Sequence, residues 1–217
     1  MSRFDTREMY DRYRVQIAFR DRLCGGTPLN SELIRTWVDA KMADAPEEIR
    51  IRVAKEDAEL VVNDVQERCW NGFFADEHGP LIQTRQVKAA LKQSAKMLGI
   101  TNDKRGSKQI LAEGLEVFSV DGGDRLHLGM KKATGTIERP IHVQTTQGPR
   151  AALKRVDYAT GVKLTFEIWV LKTAAQEKRH IGEDDLVKIL TFAQNNGIGA
   201  DRSQGEGKFD VVEFQRI

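Results

Sequence analysis

Residues 162–171 carry the cleanest alternation in the chain: Val162, Leu164, Phe166, Ile168 and Val170 point one way, Lys163, Thr165 and Glu167 the other. A strand with one buried face requires that period of two. Residues 14–23 repeat it, with Val15, Ile17 and Phe19 set against Arg14, Gln16 and Arg20. Shorter strands are predicted over Leu115–Val120 and Phe209–Phe214. Two stretches switch to the helical period. From Thr84 to Leu98, Val87, Ala90, Leu91, Ser94 and Leu98 form one stripe and Arg85, Lys88, Lys92 and Lys96 another. From Asp184 onward, Leu186, Ile189, Leu190 and Ala193 recur at i, i+3, i+4 and i+7, acids occupy the first turn, and Asn195-Asn196-Gly197 closes the helix.

In order these elements read strand, helix, strand, strand, helix, strand. That is the α+β, ferredoxin-like (RRM-like) βαββαβ pattern, in one domain over residues 1–217. Two insertions interrupt it. Residues 44–80 form an acidic, helix-favouring insertion, with Ile49, Val53, Leu60, Val61 and Val65 near helical spacing. Residues 121–161 form a long connection with hairpin arms expected around Leu126–Met130 and Ile141–Thr145, read as a β-hairpin thumb. A fold of this kind hosts many unrelated functions, so function has to come from particular residues.

Composition narrows the classes. The 217 residues are 40% hydrophobic and 30% charged, and no apolar run approaches the roughly 20 residues that cross a bilayer. The first ten residues lack a signal-peptide core, so a cytoplasmic protein is expected. Cys24 and Cys69 have no metal-ligand or CxxC spacing, and both are expected to be reduced and structural. No metal or cofactor is indicated. The net charge of +2 says little about partners, but its distribution is uneven. Residues 44–80 hold ten acids and four bases, whereas residues 83–108 hold seven bases and one acid. Such segregation permits a phosphate-binding surface and also suits ordinary solvated helix faces.

The segment between the last helix and the last strand carries the most specific signal. It reads Gly197-Ile198-Gly199-Ala200-Asp201-Arg202-Ser203-Gln204-Gly205-Glu206-Gly207-Lys208, with four glycines inside eleven residues. Glycine lets the backbone take positive φ and approach a partner closely, while Arg202, Ser203 and Lys208 can donate to phosphate oxygens. The segment is neither a Walker A loop nor a dinucleotide fingerprint, because it lacks GxxxxGK[ST] and enters a strand instead of opening a helix. A purely structural turn is the alternative.

This run resembles the signature loop of the CRISPR-associated RAMP superfamily, G-hydrophobic-G-x-x-R-S-x-G-[FY]-G-[RK]. Three further segments agree in order. Arg22-Leu-Cys-Gly25-Gly26 is similar to the "PLHIGG" that ends the family's first strand, Leu81–Lys92 to its "PGSSLKGALR" helix start, and Gly161–Ile168 to its "GxxFxFEI" strand. Gln83 and Thr84 replace the expected proline, glycine and serines, and Glu206 stands where an aromatic is usual. These departures point to a diverged member, such as one encoded by a phage.

The resemblance implies a backbone subunit that assembles side by side, in copies of itself or with other effector subunits, along single-stranded guide RNA (crRNA). Phosphates would be gripped by Arg85, Lys88, Lys92 and Lys96 of the first helix, by Gly25 and Gly26, and by Gly197, Gly199, Arg202, Ser203, Gly205, Gly207 and Lys208. Lys131, Lys132 and Arg139 would serve as a basic thumb. Trp37, Trp70 and Trp169 are candidates for base stacking, Trp169 foremost because it sits opposite the apolar register of its strand.

Two alternatives stand beside this reading. One is a RAMP-type endoribonuclease that processes CRISPR RNA, commonly with a histidine near the first helix; His78, His127, His142 and His180 are scattered in sequence, and none falls within residues 84–98. The other is a fold-mimic that docks onto an effector and inhibits it. Some backbone subunits cleave RNA with a loop aspartate after the first strand, and Asp39 falls in that region without a motif to fix it. No catalytic residue is assigned.

Overall fold

The structure, a computed structural model, describes residues 7–61, 69–100, 110–145, 148–172 and 181–217. Val65, His180 and the polar run 101–106 lie outside the described residues.

Four strands make the central sheet: β1 (Tyr10–Phe19), β7 (Leu115–Ser119), β11 (Lys163–Leu171) and β12 (Phe209–Arg216). Their order is β12-β1-β11-β7, and every pairing is antiparallel. Val15 sits opposite Phe166 and Ile17 opposite Leu164, so the two alternating apolar sets share one face. On that face pack α3 (Thr84–Met97), through Val87, Leu91 and Ala95, and α4 (Glu183–Asn196), through Leu186, Ile189 and Leu190. The helix boundaries follow local chemistry: the side-chain carbonyl of Gln86 accepts from the backbone N–H of Gln83 at the start of α3, and Gly197, at φ 79°, ends α4.

The other face of this sheet is polar but ordered. Glu167 on β11 is almost wholly buried between Arg12 and Arg14 of β1, at 3.0 and 3.1 Å, and accepts from the Trp169 indole at 2.9 Å. Arg12 also lies 4.5 Å from the Trp169 ring centroid. Burial pushes the Glu167 carboxyl up, but the bonds from Trp169, Arg12 and Arg14 outweigh it and hold the group below its ordinary value.

The remaining strands build two smaller sheets. One joins β2 (Arg22–Cys24), β3 (Thr27–Pro28) and β4 (Trp70–Gly72) to a long hairpin, β9 (Gly135–Thr145) and β10 (Gly148–Thr160). The other is β5 (Phe74–Asp76), β6 (Gly79–Gln83) and β8 (Arg125–His127). The hairpin pairs continuously from Gly148 opposite Thr145 to Tyr158 opposite Gly135. Its arms therefore lie later in the chain than the expected Leu126–Met130 and Ile141–Thr145, because Leu126 and Leu128 are consumed by the core next to β6.

The acidic insertion is not one helix. α1 (Ile34–Lys41) precedes it and α2 (Glu47–Glu59) occupies its first part. Their Ile34, Val38 and Ala54 join Val61, Phe74 of β5 and Leu81 of β6 in a second small core. Ile49, placed on the apolar stripe by its spacing, is exposed, whereas Asp57 faces inward.

Ile168 is fully buried at the centre of the main core. Ile168→Ala is expected to lower the unfolding free energy by about 2–5 kcal/mol, read as a fall in urea midpoint at unchanged slope. Because the folded Glu167 carboxyl is held below its ordinary value of 4.5, its stabilisation is complete above that pH and disappears as pH falls through the folded value. Glu167→Gln should therefore flatten the acid side of a stability-against-pH curve below about pH 4.5.

Candidate nucleic-acid groove

The glycine-rich segment leaves α4 and returns into β12, and its path is set by backbone seats on the first strands. The N–H of Ala200 donates to the Cys24 carbonyl at 2.9 Å, that of Gly207 to Arg22 at 2.8 Å, and that of Ile198 to Gly207 at 2.9 Å. These contacts leave no room for side chains: a Cβ on Gly207 would stand 1.9 Å from the Ile198 oxygen, and one on Gly199 2.6 Å from the Cys24 oxygen. Both glycines also have positive φ. Arg202, Ser203 and Gln204 form a single 3₁₀ turn at the tip, closed by Gly205. Gly25 crosses Gly72 so closely that a Cβ would come within 2.2 Å of its carbonyl carbon.

Glu206 explains its own departure from the aromatic. Its side chain is buried and receives Arg22 at 2.9 Å on one side and the Arg139 guanidinium on the other. Asp201 does the same for Lys154 at 2.7 Å. Two carboxylates of the loop thus tie the β9–β10 hairpin to the β2 corner. Cys24, beneath the loop, has its thiol pushed up to about 11, first by burial and then by the charges of Glu206 and Asp201, so it is a poor nucleophile.

Between this loop and the first turns of α3 runs a groove of about 580 Å³. Gly26, Gly199, Ala200 and Arg202 line one side; Arg85, Gln86, Ala89 and Gln93 of α3 line another. Trp37, Lys41 and Met42 close a third, with Asn71 and Lys154 completing it. The loop, the helix and Gly26 of the glycine pair, all singled out in sequence, meet here, while Gly25 lies outside the lining.

The predicted residues divide on inspection. Arg202 lines the groove, and Ser203 and Lys208 are exposed nearby on the loop. Arg85 lines it too, but its guanidinium is held by the buried carboxylate of Asp57 and by Gln83 at 2.6 Å, and it stacks 5.6 Å from the Trp37 centroid. Lys88 turns the other way, to Glu116 of β7 at 3.0 Å. Lys92 and Lys96 are exposed but outside the groove lining. Lys131 and Lys132 border a separate cleft with Trp70 and Asp157, and Arg139 is engaged by Glu206. Gly197, Gly205 and Gly207 shape the loop without lining the groove.

Lys41 and Lys154 were not in the sequence-derived set, and Trp37 was in it only as one of three stacking candidates. Lys154 is one of many bases on the hairpin, and only its register opposite Arg139 brings it to Asp201. Asp39 is on helix α1, paired with Arg35 at 3.0 Å and Arg50 at 2.9 Å.

Two histidines distant in sequence do come together. His78 and His127 meet edge to face at 5.4 Å, and His127 Nε2 lies 3.0 Å from Asp76, which Arg125 also contacts at 3.2 Å. Burial raises the Asp76 carboxyl, but bonds from His127, the His78 backbone and Arg125 outweigh it and leave it below its ordinary value. This cluster sits in a different depression, walled by Glu77, Asp121 and Asp124, and shares no lining residue with the groove. No group of side chains among the described residues is arranged to hold a metal ion, and no described helix is long and apolar enough to cross a membrane.

Comparison of the sequence with family models and with curated proteins finds no match. Among solved structures, the chain is similar to a chain in a cryo-EM structure of the Type III-B Cmr-beta complex bound to cognate target RNA, with a TM-score of 0.50 at 12% identity. The match covers 97% of this chain and 61% of that one. The likeness is one of fold.

Gly205→Ala, which meets nothing within 4 Å, should cost about 1–2 kcal/mol for placing a Cβ in left-handed backbone. Gly207→Ala must cost more and disturb the groove, because its Cβ collides with the Ile198 carbonyl. Urea denaturation of the two variants side by side checks the order.

Proposed function

We propose that this chain is a RAMP-superfamily protein of the backbone-subunit kind, which binds single-stranded RNA, a guide RNA in particular, through the groove between the glycine-rich loop and α3. The observation that carries the reading is the convergence of Gly26, the loop's Arg202 and the first turns of α3 on one groove. Within it Lys41 and Arg202 have no ion-pair partner among the described residues, whereas Arg85 and Lys154 are compensated. A neutralised cation releases few counterions on binding, so the affinity rests on those two and on the exposed Ser203 and Lys208.

The strand order β12-β1-β11-β7 with α3 and α4 on one face supports a ferredoxin-like core. The whole chain is then one RAMP domain, with residues 44–80 as an insertion opened by α2 and the β9–β10 hairpin within 121–161 as the thumb. Fold likeness to a chain of an RNA-bound Cmr-beta complex agrees with this reading. Side-by-side assembly follows from the backbone-subunit role. The endoribonuclease alternative draws on the His78–His127 pair, but the carboxylates around that pair repel a phosphodiester and it lies outside the groove.

Lys41→Ala combined with Arg202→Ala should weaken binding to all single-stranded RNAs alike. Each phosphate contact on a single strand contributes about 0.7 to the slope of log K against log salt, so the double variant should lose about 1.4 of that slope. Filter binding across a salt series measures it. Absence of RNA binding by the unaltered protein at low salt would overturn the reading.

A further inference from the structure

The groove is not lined as a phosphate channel would be. Trp37, Met42, Ala89 and Ala90 give it an apolar lining, and Asn71, Gln86 and Gln93 add side-chain amides to the same lining. A phosphate gains nothing from an apolar strip, because its oxygens want donors and water. An aromatic face beside amide donors and acceptors instead matches a nucleobase, which has a π-face to stack and polar edges to satisfy. The volume of about 580 Å³ falls among sites that enclose small molecules.

Trp37 is held for this task. Its ring lies 6.0 Å from that of Phe74 at 74°, edge to face, and the Arg85 guanidinium sits 5.6 Å from its centroid. Arg85 is in turn fixed by Asp57, which is buried beneath it and bonded to Gln83 at 2.9 Å. An indole braced on two sides loses little freedom when a base stacks on it.

We infer that the groove takes a nucleobase of the bound strand, stacked on Trp37, while Lys41 and Arg202 hold the adjoining phosphates. This deepens the RNA-binding reading and rests on it. It also assigns Arg85 a different part from phosphate binding: with its charge compensated by Asp57, it orients the stacking surface.

The test uses the full chain and two RNAs of equal length, one ordinary and one with every base replaced by an abasic sugar. Ordinary RNA should quench indole emission and abasic RNA should not. Trp37→Phe should abolish most of the quenching yet retain most of the affinity, which separates stacking from misfolding. Trp37→Ala should weaken ordinary RNA by roughly tenfold, within the usual range for loss of one base–aromatic stack, and leave abasic RNA unaffected. If quenching persists in Trp37→Phe, or if both variants bind ordinary RNA as the parent does, the inference fails while the RNA reading stands. If the parent binds neither RNA at low salt, the RNA reading fails first and takes the inference with it.

Discussion

The groove exists because the backbone of the glycine-rich loop is bonded directly onto the corner where β1 hands over to β2. Ala200 and Gly207 donate to the carbonyls of Cys24 and Arg22, and those two bonds set the distance between the loop and the rest of the sheet. Neither bond tolerates a side chain at Gly199 or Gly207. Most of the glycines therefore serve close packing and positive φ. Loop composition alone suggests flexibility for a ligand; the folded loop is instead seated at its base and open at the tip, at Arg202 to Gly205.

Charge is handled in the same way. Two buried carboxylates hold arginines here: Asp57 holds Arg85 of the groove lining, and Glu206 of the loop holds Arg22 and Arg139. Removing either acid leaves a partly buried cation without compensation, which is the expensive way to break such a pair. The pairs consequently fix geometry more than they add attraction for a polyanion. The long-range pull of the groove on a phosphate chain is modest, in keeping with a chain whose bases and acids nearly balance.

The central sheet and its two helices were legible because their side-chain periods are governed by one buried face. Val15 and Phe166 lie on apolar faces by their alternation, α3 is placed by its helical stripe and Gly197 ends α4 at positive φ, whereas the register that sets Val15 opposite Phe166 comes only from the fold. The contribution of individual cations was not legible. A basic stripe on a helix specifies spacing but not which neighbour stands opposite, and Lys88 finds Glu116 across the helix–sheet seam while Arg85 finds Asp57, 28 residues away. Trp169 looked the best stacking residue from its register, yet its indole N–H is spent on Glu167 and its ring is packed by Arg12, Tyr10 and Phe118. Trp37 ranked behind it, since α1 is too short to show a period and its partners, Phe74 and Arg85, come from distant segments. Asp57 was counted among the acids of a solvated helix; only the fold shows it turned inward.

α1 and the insertion that follows it are thus part of the site. α1 and α2 bring their own core, and that core fixes Trp37 and Met42 as one wall of the groove and Asp57 as the anchor of Arg85. Without this second core the groove would have two sides, the loop and α3, and would be a shelf on which only a phosphate chain could lie. With it, the space is walled on a third side by an apolar and aromatic surface from which water gains little. Trp37 of α1 and Met42 at its end, with the acidic segment packed against that helix, then give the surface the apolar wall that a base would need.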